Sequence, residues 1–196
     1  MKKGLIAIII VAVLGLLLYS CGKGKYNSMV TLDQQAEAQW AQVENAYQRR
    51  ADLIPNLVST VKGYANFEQE TLTQVIEARS KATSVNLDAA NLTPETMQQF
   101  QQAQGELSSA LSRLMVVVEK YPDLKANQNF LALQSQLEGT ENRISVERNK
   151  FNEVTRQYNT TVKTFPNVLF AGMFGFEEKG YFQADAGAER PPQVEF

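Results

Sequence analysis

Apolar positions follow two different rules along this chain. From Gly4 to Tyr19 they run without a break, and no charge lies between Lys3 and Lys23. From Ala36 to Val162 they recur at spacings of three and four, the repeat of one helix face. Ala36, Trp40, Val43, Tyr47 and Arg50 mark a first such face, and Leu57, Val61, Tyr64, Glu68, Leu72, Val75 and Arg79 a second. Met97, Phe100, Gln104, Leu107, Leu111 and Leu114 mark a third. Phe130, Leu133, Leu137, Glu141, Ile144, Arg148, Phe151, Tyr158 and Val162 mark a fourth. The pattern predicts helices near residues 26–50, 52–84, 94–119 and 123–163, and no strand pattern competes with it.

Proline supplies the expected boundaries. Asp52 is placed to cap a helix whose first turn holds Pro55. Thr93-Pro94-Glu95 combines a capping hydroxyl, proline at the first position and an acid at the positive dipole end. Tyr121-Pro122-Asp123 marks a third break. A very short first turn makes the first two helices antiparallel neighbours. The expected fold is all-α: an antiparallel up-down-up-down bundle of four long helices behind an N-terminal membrane anchor, with a short irregular Phe-rich C-terminal tail. The expected organisation is an anchor over 1–21, a bundle over 22–164 and a tail over 165–196. Nothing between Gly24 and Trp40 stops a helix, so the anchor can run directly into the bundle. Four alternating helices return the tail to the anchor's side. Six of the ten phenylalanines lie from Phe165 onward, which demands a burial partner. The tail either caps the bundle end or lays Phe170, Phe174 and Phe176 against the bilayer interface.

The anchor itself has two readings. Residues 4–22 as a helix reach about 28 Å, one hydrocarbon core. Alternatively, Lys2 and Lys3 form a basic leader and Leu5–Leu18 the apolar part of a signal segment. Leu18-Tyr19-Ser20-Cys21 then resembles a bacterial lipobox, although Tyr19 is bulkier than usual there, and Cys21 would carry lipid. The same cysteine is otherwise the last residue of a membrane helix. The order of basic residues and apolar run favours a body outside the cytoplasm, though lysines flank both ends.

Composition narrows the chemistry. Without Lys2 and Lys3 the chain keeps 17 basic and 21 acidic residues, a net charge of −4 that does not suit a phosphate backbone. Nucleic acid is therefore not an expected partner. There is no histidine and one cysteine, so the commonest general base, the commonest zinc ligand and any internal disulfide are lacking. No catalytic residue, metal site or cofactor is expected. Arg50, Glu68, Arg79, Glu141 and Arg148 fall on the apolar faces, where an unpaired charge costs several kcal/mol. They are expected either to pair across helices or to sit at the edge of the face with only their stems covered; interhelical ion pairs are the reading taken, with Asn152 and Asn159 adding hydrogen bonds along the last helix. A di-metal bundle is rejected because its Glu-x-x-His motif cannot be built. A paired-carboxylate hydrolase at Glu68 and Glu141 lacks a Gly-rich cleft or nucleophile elbow.

The run Tyr47-Gln48-Arg49-Arg50-Ala51-Asp52-Leu53-Ile54-Pro55-Asn56-Leu57-Val58 resembles the LemA family of bacterial membrane proteins. The likeness continues through Val61-Lys62-Gly63-Tyr64-Ala65, Glu77-Ala78-Arg79, Tyr121-Pro122-Asp123-Leu124-Lys125-Ala126-Asn127 and Leu137-Glu138-Gly139-Thr140-Glu141-Asn142-Arg143-Ile144. Arg148, Phe151-Asn152 and Tyr158-Asn159 complete it, with Phe151 standing where the family commonly has Tyr. The resemblance implies an N-terminal membrane segment and a soluble antiparallel bundle, and no established enzymatic activity. The expected function is a structural or adaptor module of the bacterial envelope, partnered by the lipid bilayer and unidentified envelope proteins. The alternative is an envelope enzyme or small-ligand sensor built on a buried Glu/Arg cluster.

Overall fold

The computed structural model describes residues 2–63 and 68–184, without the side chains of Lys2, Lys3, Ala7, Leu18 and Cys21. Among the described residues the regular elements are all helical: α1 (Lys2–Lys62), α2 (Gln69–Ser84), α3 (Pro94–Val118), α4 (Pro122–Lys125), α5 (Gln128–Lys163) and α6 (Asn167–Phe174). The all-α bundle is as expected, with one correction that reshapes its first half. No turn separates residues 50 and 52. The anchor, the first bundle helix and the segment through Pro55 form a single helix of 61 residues, about 90 Å long. Asp52 is therefore not a cap, and residues 52–62 belong to α1 rather than to α2.

The continuity has a clear packing cause. Residues 29, 36, 43, 50 and 57 of α1 are spaced by seven, and all are at most 1% exposed. Trp40, Tyr47, Ile54 and Val61 fill the alternate positions, so the four-three register passes Ala51 without interruption. On α5 the partners Phe130, Leu137, Ile144, Phe151 and Tyr158 are also spaced by seven. α1 and α5 thus form one long antiparallel seam that stopping α1 at residue 50 would cut.

Pro55 inside α1 removes the amide hydrogen that would bond the carbonyl of Ala51. Ala51 is 4% exposed, so water does not take that role. Arg79 of α2 does: its Nε donates to the Ala51 oxygen at 2.8 Å. The proline and the arginine are therefore one device.

Three apolar clusters stack along the rod. In the far one, α2 and the C-terminal half of α3 pack on Ile54, Leu57 and Val61 of α1 and on Phe130 and Leu137 of α5. The middle one is aromatic: Trp40 and Tyr47 of α1, Phe100 of α3, Phe151 of α5, and Phe182 from beyond α6. The near one joins Met29 of α1, Tyr158 and Val162 of α5, and Ala171 of α6. α2 is only 16 residues long and reaches the far cluster alone. Chain from outside the four helices completes the middle layer.

Local signals explain the other boundaries. Thr93 caps α3 by accepting from the Thr96 amide at 3.3 Å, with Pro94 at the first position, as the sequence suggests. The last long helix starts later than expected, because Asn127 accepts from the Phe130 amide at 3.1 Å and restarts the helix after the single turn of α4. The tail is not wholly irregular: it contains α6, closed by Gly175 in the left-handed conformation (φ 75°) that glycine adopts without strain.

Arg79→Ala strands the Ala51 carbonyl and is expected to cost about 1–3 kcal/mol in denaturant unfolding. In a Pro55→Ala background the restored amide serves that carbonyl, and the same change should cost less than half as much. Equal costs in the two backgrounds would show that Arg79 does not replace the missing donor.

Candidate functional site

The polar residues on the inner face gather at two places, a node around Arg50 and a line of amides beside the C-terminal segment. Arg50 is 1% exposed. Its Nη1 donates to Glu141 Oε1 of α5 at 2.6 Å and to Ser108 Oγ of α3 at 2.7 Å. Its Nη2 donates to Gln104 Oε1 at 2.7 Å, and the guanidinium lies 5.1 Å from the Tyr47 ring centre. Gln104 Nε2 in turn donates to the Ala82 carbonyl in the last turn of α2 at 3.1 Å. One arginine therefore links all four bundle helices, and Glu141 gives it charge balance while keeping nearly half of its own side chain in solvent.

Of the five charges read as ion-pair partners, the structure brings together Arg50 and Glu141. Glu68 is exposed and meets Lys120 at 3.3 Å, a surface contact of small energetic weight. Arg79 serves the Ala51 carbonyl. Arg148 lies over the Phe182 ring at 4.9 Å and donates to the Gln183 carbonyl at 2.9 Å. The spacing of three and four reports which face a helical residue occupies and not which group it meets: Glu68 precedes the first residue of α2, and Arg79 reaches the level of Arg50 but bonds a backbone carbonyl.

Asn152 and Asn159 do not bond along α5. Each closes a two-bond ring on the backbone of the segment after α6. Asn159 accepts from the Lys179 amide at 2.9 Å and donates to its carbonyl at 2.8 Å. Asn152 does the same at Phe182, at 2.9 and 2.8 Å. Gln101 of α3 repeats the arrangement at Gln183, at 3.1 and 2.9 Å. Seven residues of helix separate the two asparagines, about 10.5 Å, and three residues of the segment cover that distance, so it must be almost fully extended.

Sequence reasoning overlooked Glu147, which is 1% exposed. Its carboxylate accepts from Gln39 at 2.7 Å and meets Arg143 at 2.8 Å and Lys150 at 3.2 Å. The available signal was the sevenfold spacing Leu133, Thr140, Glu147, which a search for apolar positions passes over. Lys179 was overlooked as well: it is buried, 2.9 Å from Asp33, and no periodicity marks it.

At the near end, α6 lies against the part of α1 where the apolar run stops. The Phe170 ring covers Gly22, where an added Cβ would come within 3.2 Å of it. Phe174 and Phe176 pack edge-on against Tyr26, at 4.9 and 5.7 Å between ring centres. Phe165, Leu169 and Met173 face outward, 80%, 59% and 75% exposed. The lipidation reading of Cys21 concerns a side chain outside the described residues.

Together these features define a class: a helical bundle carried on one long helix whose apolar N-terminal part fits a membrane anchor. The chain belongs to the LemA family, whose model matches residues 39–196. It is similar to magnetosome protein MamQ of Magnetospirillum gryphiswaldense, 26% identical over 192 residues that cover 87% of this chain and 70% of that protein. MamQ 2 of Paramagnetospirillum magneticum is 25% identical over 184 residues, covering 85% and 68%. Protein LemA of Metamycoplasma hominis is 23% identical over 161 residues, covering 82% and 70%.

Arg50→Ala is expected to destabilise the bundle by about 3–5 kcal/mol, and Glu141→Ala by about half as much, because Arg50 then keeps Ser108 and Gln104 as acceptors. Matching losses in chemical unfolding would contradict that ranking. Burial alone would push the Glu147 carboxyl up. Hydrogen bonds from Gln39 and Lys150 and the charges of Arg143 and Lys150 outweigh it and hold the group below its ordinary value of 4.5. A carboxyl lowered by folding stabilises the fold above that value and loses its contribution as pH falls through the folded value. Glu147→Gln should therefore flatten the acid side of the curve of melting temperature against pH, and an unchanged acid side would place the sensitivity elsewhere.

Proposed function

We propose that this LemA-family protein is a structural or adaptor module of the bacterial envelope, which holds a rigid helical body at a fixed height above the membrane. The observation that carries the reading is the continuity of α1 from the apolar run to the far cluster. From Gly22 to Lys62 it supplies about 60 Å of unbroken helix, so membrane segment and body move as one piece. Its relatives named as magnetosome proteins carry a name that assigns them to a cell structure and to no reaction. With lysines at both ends of the apolar run, the support for a body outside the cytoplasm is the signal-like order of basic residues and apolar run.

In this reading α6 is a second foot on the bilayer. The outward Phe165, Leu169 and Met173 sit at the level where the anchor leaves the hydrocarbon, and an apolar surface there is matched by the lipid interface.

The alternative, a small-ligand sensor, has one observation in its favour. A cavity of about 650 Å³ is lined by Arg50, Gln104, Glu141 and Arg148. Arg50 already donates to three side chains there, so a ligand would have to displace internal bonds, and the structural reading is preferred.

Two measurements test the proposal. Photo-crosslinking amino acids placed at Val116 and Leu131, exposed near the far end, should capture a defined envelope protein in intact cells. Absence of any specific adduct around that end would remove the adaptor role. In vesicles containing brominated phospholipid, a Met173→Trp chain should lose much of its added emission, while buried Trp40 of the parent chain keeps its own. An unquenched Trp at position 173 would leave α6 in water.

A further inference from the structure

The segment after α6 is held in the way a peptide ligand is held. Its backbone is gripped by side-chain amides from two helices distant in sequence, at Lys179, Phe182 and Gln183. Such two-bond contacts read the main chain of an extended peptide whatever its side chains. Three further features set the register. The Lys179 ammonium enters a buried site 2.9 Å from Asp33 and 5.3 Å from the Tyr158 ring centre. Gly180 donates to the Leu92 carbonyl at 2.7 Å, and a Cβ there would stand 2.9 Å from atoms of Thr93, Pro94 and Met97, two of them backbone. Phe182 fills an aromatic cage between Trp40, Phe100 and Phe151, with ring centres 6.0, 6.4 and 5.7 Å away.

We propose that this groove is a binding site for an extended Lys-Gly-x-Phe segment, filled in cis by residues 179–182 and able to take the same segment from a second copy of the chain. The match is already complete, because the segment of another copy carries the same lysine, glycine and phenylalanine. It follows the left-handed Gly175 and lies beyond the last helix among the described residues, so it can leave one groove and enter another without unthreading any of those helices. The membrane anchor keeps neighbouring copies in one plane. Tethering favours the cis segment, with an effective concentration of roughly millimolar for a short linker. Exchange therefore becomes measurable when one copy has a weakened segment and the other a weakened groove. The proposal concerns association of the chain with itself and stands independently of any envelope partner.

Two full-length, differently tagged chains in detergent test it. One carries Asn152→Ala and Asn159→Ala, which weaken the groove and leave the segment intact. The other carries Phe182→Ala, which weakens the segment and leaves the amides intact. The mixed pair should co-purify at one to one, at least tenfold above two Phe182→Ala chains or two double-Asn variants. A synthetic peptide of residues 176–184 should bind the Phe182→Ala chain and compete with that pairing. Phe182 also fills the core, so Gly180→Ala, whose added Cβ meets the Thr93–Pro94 backbone, serves as a second segment variant under the same criteria. Variants that keep their helical circular dichroism, yet neither pair nor bind the peptide, overturn the proposal.

Discussion

The hydrogen bond from Arg79 to the carbonyl of Ala51 lets α1 carry a proline through its buried seam without leaving an acceptor unpaired. Proline in a helix interior costs about 3 kcal/mol or more, partly through the acceptor it leaves without a donor. In a buried seam that acceptor cannot turn to water. By supplying the donor from α2, the fold keeps a sevenfold register running from Met29 to Val61 and ties α2 to α1 at the same point. The rest of the bundle is then organised along one continuous helix. α5 runs back along it, α3 runs beside it, and Arg50 sits one residue before the proline-freed carbonyl to join all four helices.

The same logic governs the middle of the rod. α2 is too short to cover Trp40 and Phe151, and the chain after α6 takes its place. An extended backbone laid across helices has no ladder to pair with, so its amides and carbonyls would be orphaned. Asn159, Asn152 and Gln101 answer them one residue at a time. Polar side chains on the inner faces here largely serve backbone groups, not each other. That is why, among the described residues, the five charges form one pair with each other, Arg50 with Glu141, and several bonds to carbonyls.

Much of this architecture was legible in the sequence. The apolar run, the capped start of α3 and the long face of α5 follow from periodicity and local capping. Pro55 misled because proline is ordinarily a boundary, and its compensation lies 24 residues away in Arg79. The four-three register crossing Ala51 was the better signal, since packing over many turns outweighs one lost hydrogen bond. The tail was harder. Its Phe-rich composition announced burial, and the return of α5 placed it beside the anchor. Nothing local showed that Lys179 and Phe182 are core residues, because an extended segment bound by side chains has neither helix nor strand periodicity. Asn152 and Asn159 were visible as polar residues near an apolar face, but their partners are set by topology.

A continuous α1 also makes the body a lever. If the apolar run is the membrane anchor it fits, the fulcrum is the point where that run ends, beside Gly22 and Phe170. With about 60 Å of helix beyond that point, a tilt of about 10° in the lipid-embedded portion sweeps the far cluster sideways by about 10 Å. Hydrophobic mismatch, which such a segment can relieve by tilting, would in this way reach the position of α2 and the far ends of α3 and α5.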